Sequence, residues 1–189
     1  MFTGIIEQIG VIKNIEGSTF TIEHNFEQPF TLGESIALNG ACMTITAFQG
    51  KTFTVDIIEE SRNRTSFDIV TVGSLINLER SAIIGQRNSG HNVAGHVDET
   101  GSISSITEKS DFWLIRIAIS PGNRKYIIEK GSIALEGISL TISSLGPDWL
   151  EVSIIPHTWE HTNLHTKQAS EKINIEYDQA GKYILNKKL

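Results

Sequence analysis

The chain of 189 residues contains one cysteine, so no disulfide can form within it. Basic charge is scarce: 16 lysines and arginines stand against 22 acidic residues, for a net charge of −6. A nucleic-acid binder shows a basic face, and this balance argues against one. No apolar run approaches the ~18 residues of a membrane-spanning helix, so no membrane span is expected. The opening "MFTGIIEQIG" lacks a basic stretch followed by a long apolar one, and reads as carrying no signal peptide. Together these absences point to the cytoplasm. The sequon Asn63-Arg64-Thr65 carries no meaning there. The stretch "GQRNSG" lacks the lysine and the strand–glycine–helix setting of a phosphate loop. What remains, with 39% hydrophobic and 20% charged residues, is the composition of a globular protein of one large or two small domains.

The organising fact is a repeat. "SIALNGACMTIT" (residues 35–46) returns 97 positions later as "SIALEGISLTIS", with seven of twelve positions identical. At the same offset "VDIIEESRNRTSF" faces "VSIIPHTWEHTNL", and "NLE" at 77–79 faces "NIE" at 174–176. At an offset of 91, "GIIEQIGVI" faces "GHVDETGSI". Two copies are too few for a solenoid, so each unit must close on itself. Within each unit the dominant hydrophobic period is two, in short runs such as "TFTIEH", "LINLE" and "WLEVSII" bounded by turn residues. The expected fold is all-β: two tandem six-stranded closed β-barrels and a short C-terminal α-helix. The boundaries read as 1–90, 91–177 and 178–189. Short helices are expected in "SRNRTSFDI", "PGNRKYIIEKG", "HTWEHTNLH" and the terminal "DQAGKYILNKKL". Duplicated barrels offer two similar pockets, which suits an enzyme joining two identical molecules.

Cys42 reads either as a small buried hydrophobe or as a polar atom lining a pocket. Its repeat partner is Ser139, and Thr44 and Thr141 are matched two residues on, on the same strand face. His91 and His96 each follow a glycine. His96 has Ile5 as its partner, so it is specific to one copy and suits a general base. His157, His161 and His165 are four apart, but their matches Glu60, Arg64 and Asp68 are not ligands of the same kind, and no metal is expected. Glu59 and Glu60 read as a solvated pair, and Asp178 as a cap for the terminal helix or a neighbour of the site.

"MFTGIIE", "NGACMTIT", "GHNVAGHVD" and "EGISLTI", in this order and spanning the chain, resemble the riboflavin synthase family of the alpha chain type. The resemblance implies a homotrimer that converts two molecules of 6,7-dimethyl-8-ribityllumazine into riboflavin and 5-amino-6-ribitylamino-uracil, without cofactor or metal. It implies a site between the first barrel of one subunit and the second barrel of its neighbour. Carried over, the first pocket is Gly4, Ile5, Ile6, Ser35, Cys42, Met43, Thr44 and the run Asp56, Ile57, Ile58, Glu59, Glu60, Ser61. The second is Gly95, His96, Val97, Lys130, Ser139, Leu140, Thr141 and the run Ser153, Ile154, Ile155, Pro156, His157, Thr158. Ser61 and Thr158 would read the pyrimidine edge, and Thr44 and Thr141 the ribityl hydroxyls. His96 or Ser35 would act as base, with Ser35, Cys42 and Asp178 as candidate nucleophiles. The family pattern has Asp where Glu136 stands. The terminal helix offers only Ile184, Leu185 and Leu189 as an apolar stripe, which leaves a weak trimer or a monomer open. The competing reading is the related lumazine protein of luminous bacteria, a non-catalytic lumazine- or flavin-binding antenna; retention of His91, His96, Ser139 and Thr141 favours the enzyme.

Overall fold

Period-two patterning sends alternate side chains inward, and a sheet so patterned buries its apolar face by closing on itself. In the computed structural model, which describes residues 1–186, it does so twice. The first barrel uses β1 (Gln8–Glu16), β2 (Thr19–Glu23), β3 (Ser35–Leu38), β4 (Ala41–Gln49), β5 (Thr52–Asp56) and β6 (Leu75–Arg80). They close antiparallel in the order β1-β2-β5-β4-β3-β6. The second uses β7 (Glu99–Glu108), β8 (Trp113–Ala118), β9 (Ser132–Leu135), β10 (Ile138–Leu145), β11 (Trp149–Ile154) and β12 (Lys172–Tyr177), and repeats that order. Register shifts fall at matched places, Ile12/Asn14 with Ile103/Ser105 and Ile45/Ala47 with Ile142/Ser144. Such bulges bend a strand, which helps so small a barrel to close. Each barrel has its own core, with Phe20, Phe53 and Leu78 in one and Ile117, Val152 and Ile175 in the other. Among the described residues no helix is long and apolar enough to cross a membrane.

The helices are shorter than the sequence suggests. The expected helix over 61–69 is instead α1 (Glu59–Arg64) followed by a 3₁₀ turn, Ser66–Asp68. Thr65 between them is extended, and its side chain accepts from the Phe67 N–H. The matched Thr162 does the same between α2 (Pro156–Glu160) and the turn Asn163–Thr166. The three histidines of "HTWEHTNLH" therefore do not share a helix face. His161 stacks on His157 at 4.3 Å, and His165 Nδ1 lies 2.6 Å from the Thr162 carbonyl. The stretch "PGNRKY" is a 3₁₀ helix, Pro121–Tyr126. The terminal helix α3 spans Gln179–Asn186; Leu189 lies outside the described residues.

Closed barrels have no edge to pair, so they meet through outer faces. The outer faces of β6 and β12 are buried for this reason. Asn77 Nδ2 donates to the Glu136 carbonyl at 3.0 Å and to Asn163 Oδ1 at 2.9 Å. The matched Asn174 donates to the Asn39 carbonyl at 2.9 Å and accepts from the Ser66 N–H at 2.7 Å. Glu136, fully buried, accepts from the Asn174 N–H and from Asn163 Nδ2, and lies 3.4 Å from Lys167 Nζ. Its carboxylate belongs to this seam.

Two turns touch back to back. Asn39-Gly40 and Glu136-Gly137 both have positive φ at both positions, the type I′ hairpin geometry. A Cβ on Gly137 would lie 2.7 Å from the Gly40 nitrogen. Gly137→Ala should therefore cost about 2–4 kcal/mol in urea unfolding, from strain at a left-handed residue plus backbone collision. A loss within about 0.5 kcal/mol, the range of an ordinary surface change, would show that the seam yields.

Candidate functional site

The repeat's polar rows lie on the outside of the barrels. Ala41, Met43 and Ile45 of β4 point inward and are buried, whereas Cys42 is half-buried and Thr44 exposed on the outer face. Ser35 of β3 pairs with Thr44 and shares that face. In β10, Ile138 and Ile142 point inward, and Ser139 and Thr141 point outward as a half-buried and an exposed pair. Of the residues expected to contact substrate, Met43, Ile57 and Ile154 put their side chains in the cores. Only their backbones can serve a ligand. Leu140 also packs against the second core.

The segments that lead into each barrel's first strand are exchanged. Phe2 and Val93 bond reciprocally, at 2.7 and 3.0 Å. Beyond that crossing, the Gly4 carbonyl accepts from the Ser139 N–H at 2.7 Å, and the Gly95 carbonyl accepts from the Cys42 N–H at 2.8 Å. Ile6 packs on the second core and Val97 on the first. This corrects the expected grouping: Gly4, Ile5 and Ile6 wall the Ser139 face, and Gly95, His96 and Val97 wall the Cys42 face. The reason is steric. Gly4 and Gly95 have φ of +76° and +85°, and a Cβ on either would sit within 2.7 Å of the opposite barrel's strand. The chain comes that close only because glycine allows it.

Each entry segment is held by a buried glutamate that sequence reasoning missed. Glu79 accepts from the N–H of Thr3 (2.7 Å) and of Gly4 (3.0 Å) and from the Thr3 hydroxyl. Glu176 accepts from the N–H of Ala94 (2.7 Å), Gly95 (2.9 Å) and His96 (2.9 Å). Burial raises both carboxyls above the ordinary range, partly offset by these N–H bonds; Glu7 adds to the rise at Glu79, and Lys182 opposes it at Glu176. The available signal was "NLE" matched with "NIE", a carboxylate kept at the same place in the last strand of each copy.

On the second barrel, polar groups converge. Ser139 Oγ lies 2.7 Å from His91 Nδ1, and the His91 N–H donates to the Thr3 carbonyl at 3.1 Å. Burial holds the imidazole below its ordinary range, while the nearby Asp178 charge pulls it up. Asp178 Oδ1 also accepts from the Ala180 N–H, capping α3. A neutral imidazole against a hydroxyl can take its proton. His96 is exposed beside the Cys42 face, anchored by its N–H.

The remaining expected residues lie at strand ends and in the turns and helices that follow them. Asp56 accepts from the Thr19 hydroxyl, and Ser153 is exposed on β11. Ile58 and Ile155, matched and exposed, precede α1 and α2. Glu59 and Glu60 are exposed, Glu60 pairing with Arg64. Pro156 and His157 are also exposed, while Ser61 and Thr158 are half-buried and use their carbonyls to accept from Thr65 and Thr162. Lys130 stands at φ +65°, where the first copy has Gly33 at +83°. That region costs a lysine about 1–3 kcal/mol and a glycine nothing. Among the described residues, no group of three or more His, Cys, Asp or Glu is placed to hold a metal ion.

A family model described as the lumazine binding domain matches twice, over residues 3–81 and 94–178. The chain is 43% identical to the riboflavin synthase of Actinobacillus pleuropneumoniae and 40% identical to that of Bacillus subtilis. Both matches cover 97% of this chain and 88% of the relative. It is 38% identical to the riboflavin synthase of Mycobacterium tuberculosis, covering 97% and 96%. Its fold is similar to that of LumP complexed with riboflavin, with a TM-score of 0.84 and 24% identity over 94% of this chain and 99% of that one. For LumP complexed with 6,7-dimethyl-8-(1'-D-ribityl) lumazine the TM-score is 0.79, at the same identity and coverage.

The His91 geometry sets a titration. Its imidazole should titrate below 6.5, and Asp178→Asn should lower the midpoint further by removing the charge that raises it. Imidazole NMR signals followed against pH measure both. A rise on Asp178→Asn would contradict the placement.

Proposed function

We propose that each barrel of this chain, which belongs to the riboflavin synthase family, holds one molecule of the same substrate on its outer face. The chain catalyses the dismutation of two molecules of 6,7-dimethyl-8-ribityllumazine to riboflavin and 5-amino-6-ribitylamino-uracil. One lumazine gives up a four-carbon unit and the other receives it. The observation that carries the placement is the matched pair of outer faces, each walled by the other repeat's entry segment. A reaction that consumes two copies of one molecule calls for two such faces.

On each face the ring lies against the exposed isoleucine, Ile58 or Ile155, where a flat apolar surface gains by leaving water. Thr44 and Thr141 take ribityl hydroxyls. Ser61 and Thr158, with neighbouring backbone, take the pyrimidine edge. Lys130 serves the second face only. The 7-methyl group is acidic because its anion delocalises into the ring, so a neutral histidine is base enough to remove the proton. His96 does so at the Cys42 face. At the other face the Ser139–His91 pair moves a proton, and Asp178 steadies the imidazolium once it forms. Ser35, Cys42 and Asp178 are the candidate nucleophiles toward the acceptor's ring carbon. Alignment of the two rings supplies much of the rate.

Reaction requires the two faces to meet, and a homotrimer in which the first barrel of one subunit faces the second barrel of the next brings them together. The exposed Tyr183, Ile184 and Leu185 of α3 suit such packing. Among the described residues the stripe is narrow, which leaves a weak trimer or a monomer open. The free Cys42 suits the reducing cytoplasm.

Incubated with dimethylribityllumazine alone, the protein should yield riboflavin and the pyrimidine in equal amounts, without metal or nucleotide. His96→Ala should slow turnover about 100-fold, and His165→Ala should leave it unchanged. Lumazine recovered intact at one per chain would instead mark an antenna. Sedimentation should give a trimer that dissociates on dilution; a monomer at every concentration would remove the intersubunit site.

A further inference from the structure

Glu79 and Glu176 sit on the outer faces of β6 and β12, the last strands of their barrels, and are 4% and 3% exposed. A carboxylate buried there costs several kcal/mol unless its oxygens are well bonded. Each takes three bonds, all from the segment entering its own barrel. That segment does not serve its own barrel's ligand face. Gly4, whose N–H donates to Glu79, accepts through its carbonyl from the Ser139 N–H of the second barrel, and Gly95, whose N–H donates to Glu176, accepts from the Cys42 N–H of the first.

We propose that Glu79 and Glu176 are positioning residues that act crosswise: each barrel's glutamate sets the wall of the other barrel's ligand face. The assignment rests on the reading that each face holds one lumazine. Three donors converge on each carboxylate, and both oxygens accept. Glutamine keeps the shape but turns one acceptor into a donor aimed at N–H groups. At least one bond is lost and one repulsion gained. The entry segment then lifts from the opposite strand, while the strand that carries the glutamate keeps its ladder and its core.

The chain provides one reporter for each face. Cys42 is the single cysteine, half-buried, with its N–H on Gly95. His91 answers for the Ser139 face, through Ser139 Oγ and the Thr3 carbonyl. In the full chain, Glu176→Gln should raise the rate of Cys42 alkylation by iodoacetamide several-fold and leave the His91 NMR titration unmoved. Glu79→Gln should do the opposite. Each should lower kcat/KM for dimethylribityllumazine about tenfold, since displacements of an ångström at a site cost up to about 100-fold. Glu→Asp at each position should show the same crossed pattern more weakly, and it stands in where a glutamine variant does not fold.

A general structural role moves both reporters together, which overturns the proposal. Direct control, with Glu79→Gln acting on Cys42, overturns it as well. Crossed reporters with an unchanged kcat/KM overturn the positioning role in the reaction. The two reporters need no turnover, so a wild-type chain that failed to make riboflavin would sink the functional reading and leave the crosswise coupling to be judged by them.

Discussion

A closed barrel has no strand edge to offer, so whatever joins two of them must pass between outer faces. The rest of the molecule follows from that constraint. Beside the backbone bonds of the exchanged entry segments, the seam is made of side chains in place of a continued sheet: Asn77 and Asn174 reach across to carbonyls of the opposite turns. The turns Asn39-Gly40 and Glu136-Gly137 meet at a spacing only glycine permits. The first residues of each repeat, which have no strand to pair with at home, lie down on the neighbour. Burial of so many polar groups is tolerable because they are bonded to one another. Glu136 is the extreme case, fully buried among Asn163, Asn174 and Lys167.

The frame is symmetric and its fittings are not. Backbone bonds repeat with high fidelity: bulges, I′ turns, exchanged carbonyls and gripping glutamates all have partners at the repeat offset. Side chains at the faces differ. Cys42 stands opposite Ser139, Ile5 opposite His96, Gly33 opposite Lys130. The seam is uneven too, with Asn39 and Val70 where the second copy has Glu136 and Lys167. On the proposed function, the matched backbone would give two identical molecules the same kind of seat, and the unmatched side chains would give them different fates as giver and receiver.

The barrels were legible because period-two patterning and the repeat are properties of neighbouring residues. Cys42, Thr44, Ser139 and Thr141 were legible as rows because alternation along one strand fixes a face. What the sequence hid was everything that depends on two distant segments meeting. Nothing in "FTG" or "AGH" says that the backbone crosses over, so Gly4 and Gly95 were grouped with the wrong faces. Glu79 and Glu176 stood out only as the matched ends of "NLE" and "NIE", since their bonds go to the backbone of residues more than 70 positions away. The helices came out too long because Thr65 and Thr162 take backbone donors that a continuous helix would have used. Glu136 read as a departure from a pattern, and its place at the seam appears only once both turns are in view.

The exchange of entry segments also separates two senses of the word module. By ancestry the modules are contiguous, one stretch of chain per copy. By use they are interleaved: a binding face together with its wall draws on both copies, and no single cut of the chain isolates one. Mutational drift in either copy's entry segment is thus felt first by its sibling's outer face, which ties the two halves to a shared history long after the duplication that produced them.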